Sequence, residues 1–247
     1  MSGLTPEQLA TLAGYGFIGP DTERQRFQCW LGSGKIKTGK TRFGLTFPGP
    51  IAVINFDRQI EDLIAEFPDV DVVVKRLEQS PWGATQAEAQ ALEMDFSRAL
   101  KAAHANPHIR TVMIDKVTTL WELVRFAEFG KLAGVRPRNY EAANLRMRGY
   151  LSLYQASGKN AYYVEDVKDE WLDDKPTGRV IRDGFKQSAG IAQVVVSFDR
   201  EGKSFGMAFD ECINSTLIGT RFNGEDINFK GLAPLVMPEI DPAVWEG

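Results

Sequence analysis

The 247 residues are 43% hydrophobic and carry 29 lysines and arginines against 33 aspartates and glutamates, a formal net charge of −4. That is enough apolar material for one sizeable α/β core, and it excludes a global positive field, so any contact with nucleic acid needs a local basic patch. Two cysteines, Cys29 and Cys212, supply neither a disulfide framework nor a metal-ligand spacing, and neither a leader-like N-terminus nor a membrane-length apolar run is present, so a soluble chain in a reducing cytoplasm is the expectation.

Thr5-Pro6-Glu7-Gln8 combines an N-cap, a proline at the first helical position and a capping-box glutamine, which predicts a helix to about Ala13. Gly14, Gly16 and Gly19-Pro20 stop it, so residues 1–23 read as an N-terminal helical extension that covers a sheet edge or packs on a neighbouring subunit. Arg26 to Leu31 then reads as a strand. Behind it, Gly34-Lys35-Ile36-Lys37-Thr38-Gly39-Lys40-Thr41 satisfies G-x-x-x-x-G-K-[ST], the phosphate-binding P-loop, and residues 41–47 can start the helix that the motif requires. Glycines at 34 and 39 let successive backbone N–H groups turn inward around an anion at the start of that helix. Lys40 is placed to reach the β- and γ-phosphates of ATP, the Thr41 hydroxyl to enter the shell of a Mg²⁺ ion, and Arg42 to flank the cradle.

Ile51 to Phe56 is a continuous apolar run suited to a strand covered on both faces, ending in Asp57. Residues 59–67 have helical spacing, Val70 to Leu77 gives a short strand, and Thr85-Gln86-Ala87-Glu88 is a capping box that opens a long helix to Ala103. Arg110 to Asp115 fits the Walker B pattern, in which a strand-end carboxylate anchors Mg²⁺ partly through water. Lys116 is unusual beside a metal and is read as pointing away. Helices follow over 120–132 and 139–154, then a strand over 159–164 ending in Glu165-Asp166. Residues 167–190 read as a long mobile loop or hairpin, 193–198 and 205–209 as an antiparallel hairpin, 215–222 as a third strand, and the proline-containing tail as irregular. Strands alternating with helices predict an α/β fold with a mostly parallel central sheet, helices on both faces and antiparallel C-terminal strands at one edge. Ligands in such sheets lie beyond the carboxyl ends of the strands, which puts residues 34–41, Asp57, Asp115 and Glu165/Asp166 on one rim.

Lys37 two residues before the second P-loop glycine, the Asp57 and Asp115 strand ends, Tyr140-Glu141-Ala142-Ala143-Asn144, Lys168-Asp169-Glu170-Trp171, Thr177-Gly178 and Asp183-Gly184-Phe185-Lys186 resemble the short phage-encoded RecA-like P-loop ATPases, a group that includes the single-domain Sak-type annealing and strand-exchange proteins. The resemblance spans about residues 24–235 and leaves 236–247 as an irregular tail. It implies a RecA-like NTPase core that assembles head to tail into a homo-oligomer, with ATP between subunits and single-stranded DNA as partner. By the same resemblance Asp57 stands where the catalytic glutamate orients the attacking water, and Glu165 or Asp166 where a polar γ-phosphate sensor is usual. A carboxylate facing the γ-phosphate would be repelled by about 4 kcal/mol per charge pair at about 4 Å and an effective dielectric of about 20. Such a side chain must turn away, be neutralised by Lys168 or a metal, or leave hydrolysis slow.

The expected site is therefore Lys40, Asp57 and Asp115 as catalytic residues, Gly34 to Arg42 as the ATP cradle, and Thr41 with Asp115 as the Mg²⁺ ligands. The cation that meets the developing charge stays open: Arg179, Arg182 and Lys186 are either trans-acting fingers or a solvated loop. Lys131, Arg136, Arg138, Arg146 and Arg148 outnumber Glu141 over residues 131–151, with Tyr140 and Tyr150 available to stack bases, or they form a solvated helix face. His104 and His108 are expected only to bind water, and with no Cys/His cluster no zinc is expected. Two functional readings follow: a Mg²⁺-dependent ATPase on single-stranded DNA in phage-type recombination or replication, and a nucleotide-dependent switch with little turnover that binds proteins. A small-metabolite kinase is disfavoured, because no basic lid is followed by a closing helix.

Overall fold

Cys29–Gly34 (β1), Ile51–Asn55 (β2) and Thr111–Asp115 (β4) are buried at every position, which is possible only for strands inside a sheet that is covered on both faces. The computed structural model describes residues 27–57, 60–77, 85–131, 134, 136 and 139–245; the expected N-terminal helix and Arg138 lie outside them. Between and around these strands run α1 (Lys40–Gly44), α2 (Ile60–Ile64), β3 (Val72–Arg76), α3 (Gln86–Ala105), α4 (Val117–Phe129), α5 (Glu141–Leu151) and α6 (Leu153–Ser157). Then come β5 (Asn160–Leu172), β6 (Lys175–Asp183), α7 (Ser188–Ile191), β7 (Val194–Glu201), β8 (Ser204–Cys212), β9 (Arg221–Asn223) and α8 (Phe229–Val236). The sheet order is β3-β2-β4-β5-β1-β7-β8-β9, with β6 paired to β5 alone. β3 through β7 in that order are parallel, and β8 and β9 add the antiparallel edge.

Alternation along the strands divides the core in two. Leu31, Ile54, Ile114 and Tyr163 face α3, α4 and α5, where Phe96, Leu120 and Met147 meet them. Their neighbours Trp30, Val53, Met113 and Tyr162 face the other way, onto Phe43 and Phe47 near α1 and onto Phe229 and Leu232 of α8. A slip of one residue would exchange the two sets, so the register is strongly specified. It places the carboxyl ends of β1, β4 and the inner part of β5 side by side: Ser33 pairs with Glu165, and Asp115 with Val164.

Three expectations need correction. The helix after the P-loop stops at Gly44, where a Cβ would come within 2.6 Å of the Tyr162 ring and 2.7 Å of the Met113 sulfur. The third C-terminal strand shrinks to Arg221–Asn223, because Asn214 caps a 3₁₀ turn at Ser215–Leu217 instead. The tail read as irregular holds α8, capped by Asn228 accepting from the Gly231 N–H at 2.8 Å, and its apolar face overrides Pro234. Residues 237–245 stay on the core, since Trp245 in a 3₁₀ turn is 0% exposed against Phe229, ring centroids 5.9 Å apart. Of the two forms considered for residues 167–190, the hairpin is the one formed: β5 runs to Leu172, Asp173 and Asp174 take positive φ at the turn, and β6 returns. No described helix is long and apolar enough to cross a membrane.

The two histidines also differ. His108 is exposed, whereas His104 is buried with Nδ1 2.8 Å from Ser157 Oγ. Burial, helped by nearby Lys159, pulls the His104 pKa down from 6.5 to about 4. Because the unfolded imidazole takes its proton first, this residue's share of stability is complete above 6.5 and is lost as pH falls toward 4. Urea midpoints measured across that window should fall less in His104→Gln than in the wild type; parallel pH profiles would contradict the assignment.

Candidate functional site

The P-loop leaves the end of β1, a central parallel strand, and turns into α1 through Gly39, whose φ of 95° lies in the left-handed region. A Cβ there would also sit 3.2 Å from the Phe205 ring. The stem of Lys40 is buried, and its Nζ donates to the carbonyls of Gly34 (2.6 Å) and Lys35 (2.8 Å) and lies 3.4 Å from Asp166 Oδ1. Burial lowers the pKa of this ammonium, and Asp166 works against that shift. Across the strand ends, Thr41 Oγ1 donates to Asp115 Oδ2 at 2.8 Å. Asp115 is 3% exposed; burial pushes its carboxyl up to about 6, against the opposing pull of the Thr41 hydroxyl and Lys116. A hydroxyl and a carboxylate in contact are hard oxygen donors of the kind Mg²⁺ takes.

Asp57 follows β2 on the same rim. Asn55, 1% exposed, holds it by accepting from the Asp57 N–H at 2.8 Å and donating back to the Asp57 carbonyl. Lys116, expected to point away, instead turns onto the rim, its Nζ 3.4 Å from Asp57 Oδ2 and 3.5 Å from Asp166 Oδ2. Burial acts to lower its pKa, but Asp166 and Asp57 outweigh that and raise it. The two carboxylates at the end of inner β5 separate by strand alternation. Glu165, 1% exposed, accepts from the Ser188 hydroxyl at 2.7 Å on the far face, where burial raises its pKa to about 7. Asp166 alone of the pair meets the P-loop lysine. Lys168, proposed as its neutralising partner, pairs with Asp183 at 2.7 Å instead.

Above the loop opens a cavity of about 480 Å³ that brings together Thr38, Lys40, Thr41, Asp57, Asp115 and Arg200. An adjoining cavity of about 670 Å³, reached past Gly39, is walled by Phe67, Phe198, Phe205 and Ile227. Arg42 stands between them, paired with Glu66 and 5.2 Å over the Phe67 ring. Arg200 and Phe205 come from the β7–β8 hairpin, stacked at 5.0 Å, and were not singled out in the sequence. A charged turn between two strands carries no local signal that it will fold over a loop more than 150 residues earlier.

The basic stretch is less available than its composition suggests. Arg146 is held 2.9 Å from Glu93 and 2.7 Å from Glu128, Tyr150 donates to Glu93 at 2.9 Å, and Tyr140 packs on Trp121 and Phe129. Lys131, Arg136 and Arg148 remain exposed. On β6 Arg182 lies 4.0 Å from Glu211 and Arg179 is exposed, as is Lys186 beyond the strand's end.

No protein-family model matches the chain, and no curated protein does. Among solved structures, a KaiC-like protein from the hyperthermophilic archaeon Pyrococcus horikoshii OT3 superposes with a TM-score of 0.48 at 15% identity, covering 79% of this chain and 84% of that one. The RadB recombinase superposes with a TM-score of 0.50 at 10% identity, over 79% of this chain and 86% of that one. The fold is RecA-like. In this RecA-like sheet the P-loop, Asp57, Asp115 and Asp166 all lie at the carboxyl edge, where open parallel sheets take their ligands. Gly39→Ala should reduce the unfolding free energy by about 1–2 kcal/mol in urea titration, the cost of an L-residue in the left-handed region. An unchanged midpoint would mean that the loop does not hold this conformation.

Proposed function

We propose that the chain binds ATP with Mg²⁺ in the cradle of residues 34–42 and hydrolyses it while acting on single-stranded DNA in phage-type recombination or replication. The observation that carries the nucleotide part is the 2.8 Å contact between Thr41 Oγ1 and Asp115 Oδ2, which joins the two motif residues suited to a hydrated Mg²⁺ ion. When bound, the ion would neutralise charge on the β- and γ-phosphate oxygens. Lys40 exchanges the carbonyls of Gly34 and Lys35 for phosphate oxygens, Asp57 orients the attacking water, and the apolar cavity beside Phe205 takes the base. Support for the DNA part comes from the resemblance, from a recombinase sharing the fold, and from the exposed Lys131, Arg136 and Arg148. A homo-oligomer with ATP at the subunit interface and a cytoplasmic setting complete this reading.

A second reading, a nucleotide-dependent switch that contacts proteins, is favoured by the ion pair between Lys116 and Asp57, which ties up the acid assigned to the water. An ATPase assay with and without single-stranded oligonucleotide separates the two. DNA-stimulated turnover supports the first; tight ATP binding without turnover supports the second. Lys40→Ala should weaken ATP binding by about 10- to 100-fold, the worth of a hydrogen-bonded charge, while leaving the far-UV circular dichroism unchanged. Undiminished affinity in that variant would overturn the site assignment.

A further inference from the structure

Lys37, Lys40, Arg42 and Arg200 line the cavity above the P-loop, and the first three belong to the loop or to the helix it starts. Lys40 donates to loop carbonyls and meets Asp166, Arg42 pairs with Glu66, and Lys37 is an exposed point charge on a flexible stem. Arg200 comes from elsewhere, and strand register delivers it. On β7 it lies two residues beyond Phe198, whose ring meets Phe43 of α1 at 5.6 Å, and its cross-strand partner on β8 is Phe205, so both point to the face that α1 covers. Asp199, on the opposite face, is taken by Arg221 at 2.5 and 2.6 Å. The Arg200 guanidinium lies 5.0 Å over the Phe205 ring, and its Nε donates to the Gly202 carbonyl at 2.9 Å. No carboxylate pairs with it among the described residues. The outer edge of the fork, Nη1 and Nη2, therefore keeps its donors for a ligand, and the stack fixes the plane in which they are presented. Phosphate oxygens suit that edge, because a guanidinium grips them with two parallel hydrogen bonds.

We propose that Arg200 binds the phosphate tail of the nucleotide held by its own chain. Resting on the nucleotide reading above, this assigns the cation that meets the polyanion to the β7–β8 hairpin rather than to β6, and to the same chain rather than to a neighbour. Phe205 is then a positioning residue: it carries the Arg200 stack and also walls the apolar cavity, so one hairpin borders both ends of the proposed ligand.

Calorimetric titration of wild type, Arg200→Gln and Lys101→Gln with ATP·Mg²⁺, and separately with inorganic tripolyphosphate and Mg²⁺, tests this. Arg200→Gln should weaken both ligands alike by about 10- to 100-fold, the worth of hydrogen bonds to a charged group, whereas Lys101→Gln, the same charge change at an exposed position of α3, should stay within about threefold of wild type. Adding an excess of Lys40→Ala chains, which carry an intact Arg200, should not restore tight ATP binding to Arg200→Gln. Recovery in that mixture would mean that Arg200 reaches a neighbour's site, a loss for ATP alone would put it on the base, and an equal loss in Lys101→Gln would reduce the effect to net charge; each overturns the inference. Wild-type binding of both ligands with Arg200→Gln unchanged overturns the inference alone, whereas a wild type that binds neither ligand overturns the nucleotide reading and the inference with it.

Discussion

The contact between Thr41 and Asp115 is possible only because β1, whose loop leads into the helix carrying Thr41, and β4, which carries Asp115, end at the same level, and much of the sheet serves that alignment. Asp115 closes β4, β4 pairs in parallel with β5, and β5 pairs in parallel with β1, whose end launches the P-loop. β1, β4 and the inner part of β5 are buried on both faces, so their register is held by two apolar layers at once. Displacing β4 or β5 by a residue would turn Asp115 or Asp166 to the opposite face, away from the loop.

The same burial gives the site its electrostatic character. Taking Asp115 and Lys40 out of water disfavours the charged form of each, and the structure answers with hydrogen bonds and opposite charges within a few ångströms. Lys40, Asp166, Lys116 and Asp57 form a chain of alternating sign across the rim. Its two inner members, Asp166 and Lys116, each have a partner on either side. Arg200, stacked on Phe205, adds positive charge to the cavity over the P-loop. That places a cation beside the P-loop from the same chain, whereas the cations singled out in the sequence, Arg179, Arg182 and Lys186, lie on or just after β6.

How much of this was legible depends on the range of the interaction. The P-loop was readable because its chemistry is local: two glycines, a lysine and a threonine within eight residues. The parallel sheet and its rim followed from apolar runs ending in acids. Which of Glu165 and Asp166 faces the loop was not readable, since alternation gives opposite faces but not which face α1 covers. Lys116 is legible only in part for a related reason: its position beside Asp115 is local, but of the partners that hold it Asp57 follows β2 and Asp166 lies on β5. Pro234 misled in the C-terminal segment, where Phe229, Leu232, Ala233 and Val236 bury one side of a short helix. Arg146 looked like part of a basic patch until α3 and α4 supplied Glu93 and Glu128.

The central claim is that Asp115 and Thr41 hold the metal that accompanies a nucleotide. Its most direct test is the dependence of ATP affinity on Mg²⁺ in the wild type and in Asp115→Asn, a near-isosteric change that keeps an acceptor for the Thr41 hydroxyl. The account predicts that Mg²⁺ tightens ATP binding by about tenfold or more in the wild type, in keeping with a charged ligand to the ion, and has little effect in the variant. An equal gain from Mg²⁺ in both proteins would contradict it.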